Sequence, residues 1–572
     1  MNRFLKLRLS KENLFYFLFF VLAISFVIFP FRSGYVYSGS DMHFHLNRIY
    51  ELKESLVNLK YPWANFLTFN KVGYPINSFY PNLTLVLVIP FYILIHNPIV
   101  AYYTSLVFII WLTEIITYKS AKAISHKINN SFLAAVFYVS SGYMTFVYWF
   151  AFELGEILSF MVLPIIVSSI VAFYKPKTVS KKLNQYRWKL LAFSLIWITN
   201  SHVLMALITN VMVLISLLVL LISDSQKFKS RINEYFKVAG VYILGSLYVL
   251  VSMFTQYVGR GVVGPDRYFG AMSFKNLIIN SLDNIISPGD VPAHLVLNMG
   301  IVMIVVMMVC FMDFHNLGMF GKTFFWLGVL FTVASTDLFP WDPIVKIIPQ
   351  IQILQFSFRF LIYSVLFLLF SFIFTSEKSL KSSLLIFACV MSINLNKMYN
   401  FNQSGQNQQP LTEKATYKNR LLYSKFRIDN HGFIEMINSY HEIGGPKDYL
   451  STIQKYHAQE IFKHDVLSNN HKIKSNSKFD INQANYKITL NHDGNLDLPV
   501  LLDNFKYRVT IDDFLMKYHK SSRGTIQVDQ VDSGKHNIKI IVQPHWYTLL
   551  SLVVSLIIIL LLLVNVIRIT LI

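Results

Sequence analysis

From Leu14 to about residue 395, apolar runs of 15 to 22 residues alternate with short polar stretches, and one more run ends near Ile567. A membrane-crossing helix needs about 20 apolar residues at 1.5 Å rise each. The pattern therefore predicts a polytopic α-helical membrane protein. Expected spans are 13–31, 131–150, 157–174, a hairpin over 190–222, and then 237–257, 296–312, 323–338, 358–375, 383–395 and 547–567. Residues 81–118 hold two apolar runs. The first, NLTLVLVIPFYILIH, is short and carries Pro90 between Pro81 and Pro98. It is expected to dip into the membrane or lie at its interface without crossing, where proline costs least. About twelve crossings plus one partial segment result.

Between 396 and 545 the pattern changes. The stretch is polar, rich in Asn, Lys, Asp and Tyr, and alternates with period two in YRVTI (507–511), TIQV (525–528) and HNIKIIV (536–542). A DSG turn signal precedes the last of these. Three regions follow: a transmembrane domain over 1–395 with a first outer loop at 32–80, an extracytoplasmic domain over 396–545 that is β-rich in its second half, and a final helix with a short tail over 546–572.

Charge orients this arrangement. The net charge of +20 falls largely in short loops such as KPKTVSKKLNQYRWK (175–189) and DSQKFKSRINEYFK (224–237), as expected of cytoplasmic loops. Nucleic-acid binding is therefore set aside, and membrane lipids are the expected surroundings. The basic start, MNRFLKLRLSKEN, reads as an uncleaved signal anchor. Both termini are then cytoplasmic, and residues 32–80, Glu153, Glu156 and the polar domain share the outer side of the cytoplasmic membrane. Of 572 residues only 14% are charged, against 54% hydrophobic. The two cysteines, Cys310 and Cys389, lie in separate apolar runs and offer neither a disulfide framework nor a zinc cluster.

Candidate chemistry gathers in the outer segments. SGSDMHFHLNRIY (38–50) places Asp41, His43 and His45 just beyond the first span. The residues after Asp41 are apolar at helical spacing, with Arg48, Glu51, Lys53 and Glu54 between them, which predicts an amphipathic helix lying along the membrane surface. Asp41 is a candidate general base or, more plainly, a helix N-cap. If the chain were extended there, alternate residues would share one face, so a divalent metal on Asp41, His43 and His45 is a further option, and no cofactor is required. Glu153 and Glu156, three apart in FELGE, His43 and His45, and His202, at the tip of the 190–222 hairpin, are candidate substrate contacts; Arg48 joins them. Positive-inside bias does not account for Arg359, at the outer start of a span, and its planar guanidinium suits a phosphate. Arg260 and Arg267 are further outer cations.

Several stretches resemble a known family. These are GSDMHFHLNRI with GYPINSFYP in the first outer loop, FELGEILSFMVLPI (152–165), NSHVLMAL (200–207), ILQFSFRFL (353–361), GGPKDYL (444–450) and LPVLLDNFKYRV (498–509). Together they resemble bacterial membrane glycosyltransferases of the C-type (GT-C) fold, in particular the YfhO-like and pyruvoyl-tetrahydropterin-synthase-related membrane proteins. Family members often read QFPWRF where this chain reads QFSFRF, with the arginine kept. The resemblance implies that the acidic residue of the first outer loop, Asp41, serves as general base or electrostatic anchor. It implies a polyprenyl-phosphate-linked sugar as donor and a cell-envelope glycan, polymer or protein as acceptor. It assigns no chemistry to Lys447, Asp448 or Tyr449. Two other classes stay open: a transporter or flippase of lipid-linked glycans, and a non-catalytic envelope-assembly protein. Clustering of Asp41, Glu156 and Arg359 argues against the last.

Overall fold

The computed structural model describes residues 10–37, 39–262, 269–288, 292–411, 426–438 and 448–571. Among the described residues six helices are long and apolar enough to cross a membrane: Lys11–Ser33, Pro98–Ser125, Leu154–Tyr174, Val203–Ser223, Leu380–Gln406 and Trp546–Val566. Two bent pairs bring the number to eight when each counts as one span, Ile128–Ser140 with Gly142–Ala151 and Ile232–Gly245 with Leu247–Tyr257. Other predicted spans fall on shorter apolar helices, Ile301–Met312, Met319–Ala334 and Ser357–Phe372. The first arm of the predicted hairpin is Lys181–Thr199, whose opening turns are charged.

Local chemistry sets the helix ends. Ser10, Asn97, Ser180 and Ser379 cap N-termini with side-chain oxygens, and Gly34, at φ 75°, closes the first helix in the left-handed conformation. After Pro81 the chain makes a short 3₁₀ turn, Leu83–Leu87, and then a helix of 6 residues, Ile89–Leu94. At 1.5 Å per residue that helix rises only about 9 Å.

Three features differ from the sequence-based expectation. Helix Met42–Val57 does not lie on a surface with its polar face in water. His43, His45, Asn47, Arg48 and Glu51 on it are all buried, because the 61–81 loop supplies polar partners. Glu51, for instance, accepts from the Phe66 and Leu67 amides and, at 2.7 Å, from the Thr68 hydroxyl. Helix Leu380–Gln406 runs past the expected boundary at 395. The extended conformation around His43 and His45 is also replaced by this helix, with consequences for the site.

The C-terminal region is a β-sandwich of two five-stranded antiparallel sheets. One has the order 514–515, 506–511, 534–543, 483–490, 475–480; the other has 519–520, 525–531, 494–501, 466–468, 471–473. Alternate residues such as Ala484, Tyr486 and Ile488 point inward to meet Leu496, Leu498 and Ile526 of the facing sheet. Ala64 and Phe66 of the first loop belong to this same core. Asn482 secures them, accepting from the Trp63 amide at 2.7 Å and donating to the Tyr61 carbonyl at 2.8 Å. A second tie joins the helix ending at Tyr257 to the sandwich. There Arg260 pairs with buried Asp503, and Gln454 bridges the two, accepting from Arg260 at 3.3 Å and donating to Asp503 at 3.1 Å. Arg260 is thus a structural cation; Arg267 and Lys447 lie outside the described residues.

Candidate functional site

The site is built around a broken helix. Helix Gly142–Thr145 passes into a π-turn over Phe146–Ala151, and Phe152 then adopts left-handed φ 49° before a new helix begins at Leu154. Such wide turns leave backbone groups without helical partners and recur at functional sites. Here the carbonyls of Phe150 and Ala151 accept from the amides of Ser40 and Asp41 at 3.0 and 2.9 Å. The approach is so close that a Cβ at Gly39 would lie 2.6 Å from the Phe150 oxygen, so only glycine fits. The break therefore fixes Asp41 beside Glu153.

Asp41 occupies the N-cap position of helix Met42–Val57 but makes no side-chain capping bond. Its carboxyl instead hydrogen-bonds Glu153. Glu153 also faces His45 Nε2 at 3.3 Å, His202 Nε2 at 3.5 Å and the Tyr80 hydroxyl. The tautomers follow from the opposite ring nitrogens. Nδ1 of His202 accepts from the Met205 amide at 3.1 Å, and Nδ1 of His45 faces Arg48 Nη1, which can only donate, at 3.3 Å. Both imidazoles therefore carry their proton on Nε2; that of His45 donates to Glu153 Oε2, and that of His202 lies 3.5 Å from Oε1. Burial keeps them neutral, lowering His202 to about 3 and His45 less far.

One proton is shared by the two carboxyls. Burial, then the charge of Glu153, holds Asp41 well above the usual carboxylate range. For Glu153 burial acts in the same upward direction, while the hydrogen bonds from His45 and Asp41 favour its ionised form and hold it below that range. Glu153 is thus a fixed anion. Asp41 is the member that titrates, and both carboxyls are partly exposed.

Glu156, in the first turn after the break, turns to a different partner. Its Oε1 accepts from Arg359 Nη1 at 2.5 Å, and its Oε2 accepts from the Tyr143 hydroxyl at 3.4 Å. Arg359 Nε donates to the Leu354 carbonyl at 3.0 Å, and Nη2 takes no partner among the described residues. The charges of Arg359 and Glu156 both act on Asp41. Asp41, Glu153, Glu156, His45, His202 and Arg359 therefore form one constellation.

Other predicted residues have different places. Arg48 is buried, stacks 4.3 Å from the Tyr80 ring centre and donates to the carbonyls of Tyr80 and Pro81. It holds Tyr80 against Glu153. His43 stands about 200° from His45 around the helix axis, so the two cannot share a ligand with Asp41. Among the described residues no group of three or more His, Cys, Asp or Glu is arranged for a metal ion.

Tyr80, Tyr143 and Tyr449 are site residues not singled out by the sequence. Tyr449 stacks on Phe79 with ring centres 4.8 Å apart, and the charges of Glu153 and Arg48 reach its phenol. The aromatic, turn-rich stretch GYPINSFYP was a signal for Tyr80, and Tyr449 falls in GGPKDYL, to which the resemblance assigns no chemistry; nothing local marks Tyr143. Comparison with protein-family models, curated proteins and solved structures gave no match.

Proposed function

We propose that the protein is a membrane glycosyltransferase of the C-type fold, moving a sugar from a polyprenyl-phosphate carrier to a cell-envelope acceptor on the outer face of the cytoplasmic membrane. The observation that carries this reading is Asp41, a partly exposed carboxyl whose proton affinity is raised, fixed beside an arginine with an open donor group. An acceptor hydroxyl attacks the anomeric carbon as Asp41 takes its proton, and the carbon–oxygen bond to the phosphate breaks. The phosphate leaves with the electron pair and binds at Arg359 Nη2. A positioned base contributes about 10²–10⁴ in rate, and a fixed donor steadies the developing charge. Counting each bent pair once and admitting the shorter helices and Lys181–Thr199 gives about twelve crossings, by length and charge rules. Both termini then face the cytoplasm, and the site faces out. The family resemblance of the motifs around Asp41, Glu156 and Arg359 supports the same reading.

The test compares envelope glycans from cells carrying wild type or Asp41→Asn at equal membrane levels. Loss of one sugar decoration is expected, with transfer reduced about 10²–10⁴-fold. Unchanged decoration, where deletion of the protein abolishes it, overturns Asp41 as the base. A carrier of lipid-linked glycans draws on Glu114, whose carboxyl is buried without a hydrogen bond within Pro98–Ser125. That reading predicts that Glu114→Gln, and not Asp41→Asn, removes the product.

A further inference from the structure

The two sheets of the sandwich present unlike outer faces. On the sheet containing 494–501, Lys472 lies 2.5 Å from Asp465 and His519 lies 3.3 Å from Asp529, while Lys520 has no carboxylate within 4.0 Å among the described residues. On the sheet containing 483–490, the lysines face asparagines. Across the strands Lys487 sits between Asn476 and Asn537, and Asn485 sits between Lys478 and Lys539. Lys535 faces Thr489 one step further along. Ala484, Tyr486, Ile488, Ile538 and Ile540 fill the core, so the alternate residues, these lysines among them, point outward.

None of these four lysines has a carboxylate within 4.0 Å among the described residues. Of the acids at the margins, Asp512 and Asp513 line one end of the first hollow, and Asp512 and Asp480 have partners of their own. Asp512 accepts from the Asn537 amide at 2.8 Å and contacts His536, while Asp480 lies 3.8 Å from Lys60. The face is also concave, with two adjoining open hollows of about 610 and 600 Å³ along the lysine rows. Diagonal neighbours on such a sheet stand about 7–8 Å apart. Solubility alone would be served equally by the mixed pairs of the other sheet, without clustering like charges.

We propose that this face binds a polyanionic glycan, its repeating anions lying along the lysine diagonals and its hydroxyls hydrogen-bonded by the side-chain amides of Asn476 and Asn537. The anion is a phosphodiester or a carboxylate, since an ammonium group attracts both. The inference is independent of the transfer reaction, because binding here needs neither Asp41 nor Arg359.

The test measures binding of the full-length protein in detergent micelles to a synthetic phosphodiester-linked oligosaccharide, polygalacturonate, neutral dextran and single-stranded DNA. At least one anionic glycan is expected to bind, while dextran does not, and the glycan that binds identifies the anion. Replacing Lys478, Lys487 and Lys539 together by glutamine is expected to weaken binding at least about tenfold. It should also flatten the log–log salt slope by about 2, at roughly 0.7 per lost contact on a single-stranded polyanion. Lys472→Gln on the opposite sheet should leave binding unchanged. Lys487→Gln alone should give a partial loss, which keeps the test valid if the triple variant misfolds. Binding of dextran as tight as that of the anionic glycans, failure of both anionic glycans, an undiminished well-folded triple variant, or tighter binding of DNA than of either glycan overturns the proposal.

Discussion

The sandwich interior and the Asp41 corner both bury charge, in opposite ways. In the sandwich, Arg523 donates through Nε to Asp497 at 2.9 Å and through Nη1 to the Asp465 carbonyl at 3.0 Å, and the Thr525 hydroxyl takes the other Asp497 oxygen. Cation and anion cancel, and the geometry is closed. At the Asp41 corner the anion Glu153 is held by neutral donors only, while the nearby cation Arg359 is directed to Glu156 with Nη2 open. The first arrangement fixes a shape. The second leaves a titrating carboxyl and, on an arginine whose charge acts on it, a donor without a partner among the described residues, which structural pairs have no need of.

Breaking the closed pair should give the largest effect. Arg523→Ala leaves Asp497 buried and unpaired and is expected to destabilise the sandwich by about 3–5 kcal/mol. Arg523→Met with Asp497→Leu should recover most of that loss, as read by thermal unfolding of the purified protein. A double variant as unstable as the single would mean that the pair has a role beyond mutual neutralisation. Next, Arg359→Lys keeps the charge but loses the planar fork. Transfer is expected to fall about 10²-fold, with unfolding temperature little changed; a matching fall in stability would place Arg359 with Arg523 as a structural cation.

The smallest effect sharpens the comparison most. As a base Asp41 must be ionised, so activity should fall as pH drops through its raised pKa. Glu153→Gln removes the charge that helps raise it. The acid limb of the pH–rate profile should therefore move to lower pH, even if the maximum rate also declines. A limb that stays in place, or moves up, would mean that Glu153 does not set the proton affinity of Asp41.

Much of this site is legible in the sequence, for a physical reason. Asp41, Glu153, Glu156, His202 and Arg359 stand at the ends of apolar runs, and the alternation of those runs assigns them to one side. Tyr80, Tyr143 and Tyr449 are hidden among 32 tyrosines, and Tyr80 meets Glu153 across 73 residues. The helix after Asp41 illustrates a different limit. Amphipathic spacing reads identically whether Arg48 and Glu51 face water or buried partners, and only the 61–81 loop decides between them. In the sandwich, strands 506–511, 525–531 and 534–543 show β-branched alternation. Strand Gly494–Leu501 does not, because GNLDLPVL carries a buried Asp497 and places Pro499 at a register shift opposite Thr525 and Ile526, where a missing amide is tolerated.

The clasp of Asn482 on Trp63 and Ala64 also sets a timetable. The two ends of that contact are 419 residues apart, so the first loop leaves the ribosome long before its partner is made. At about 5–20 residues per second the wait is roughly 20–80 s. Throughout that interval Phe66 and its neighbours lack the sandwich core that later encloses them. The Asp41 corner, whose Tyr80 and Arg48 are held by the same loop, is therefore completed only once the C-terminal region has been synthesised and folded. Nascent chains interrupted before residue 482 would lack a finished site, so that the constellation around Glu153 is assembled only when the whole protein is in place.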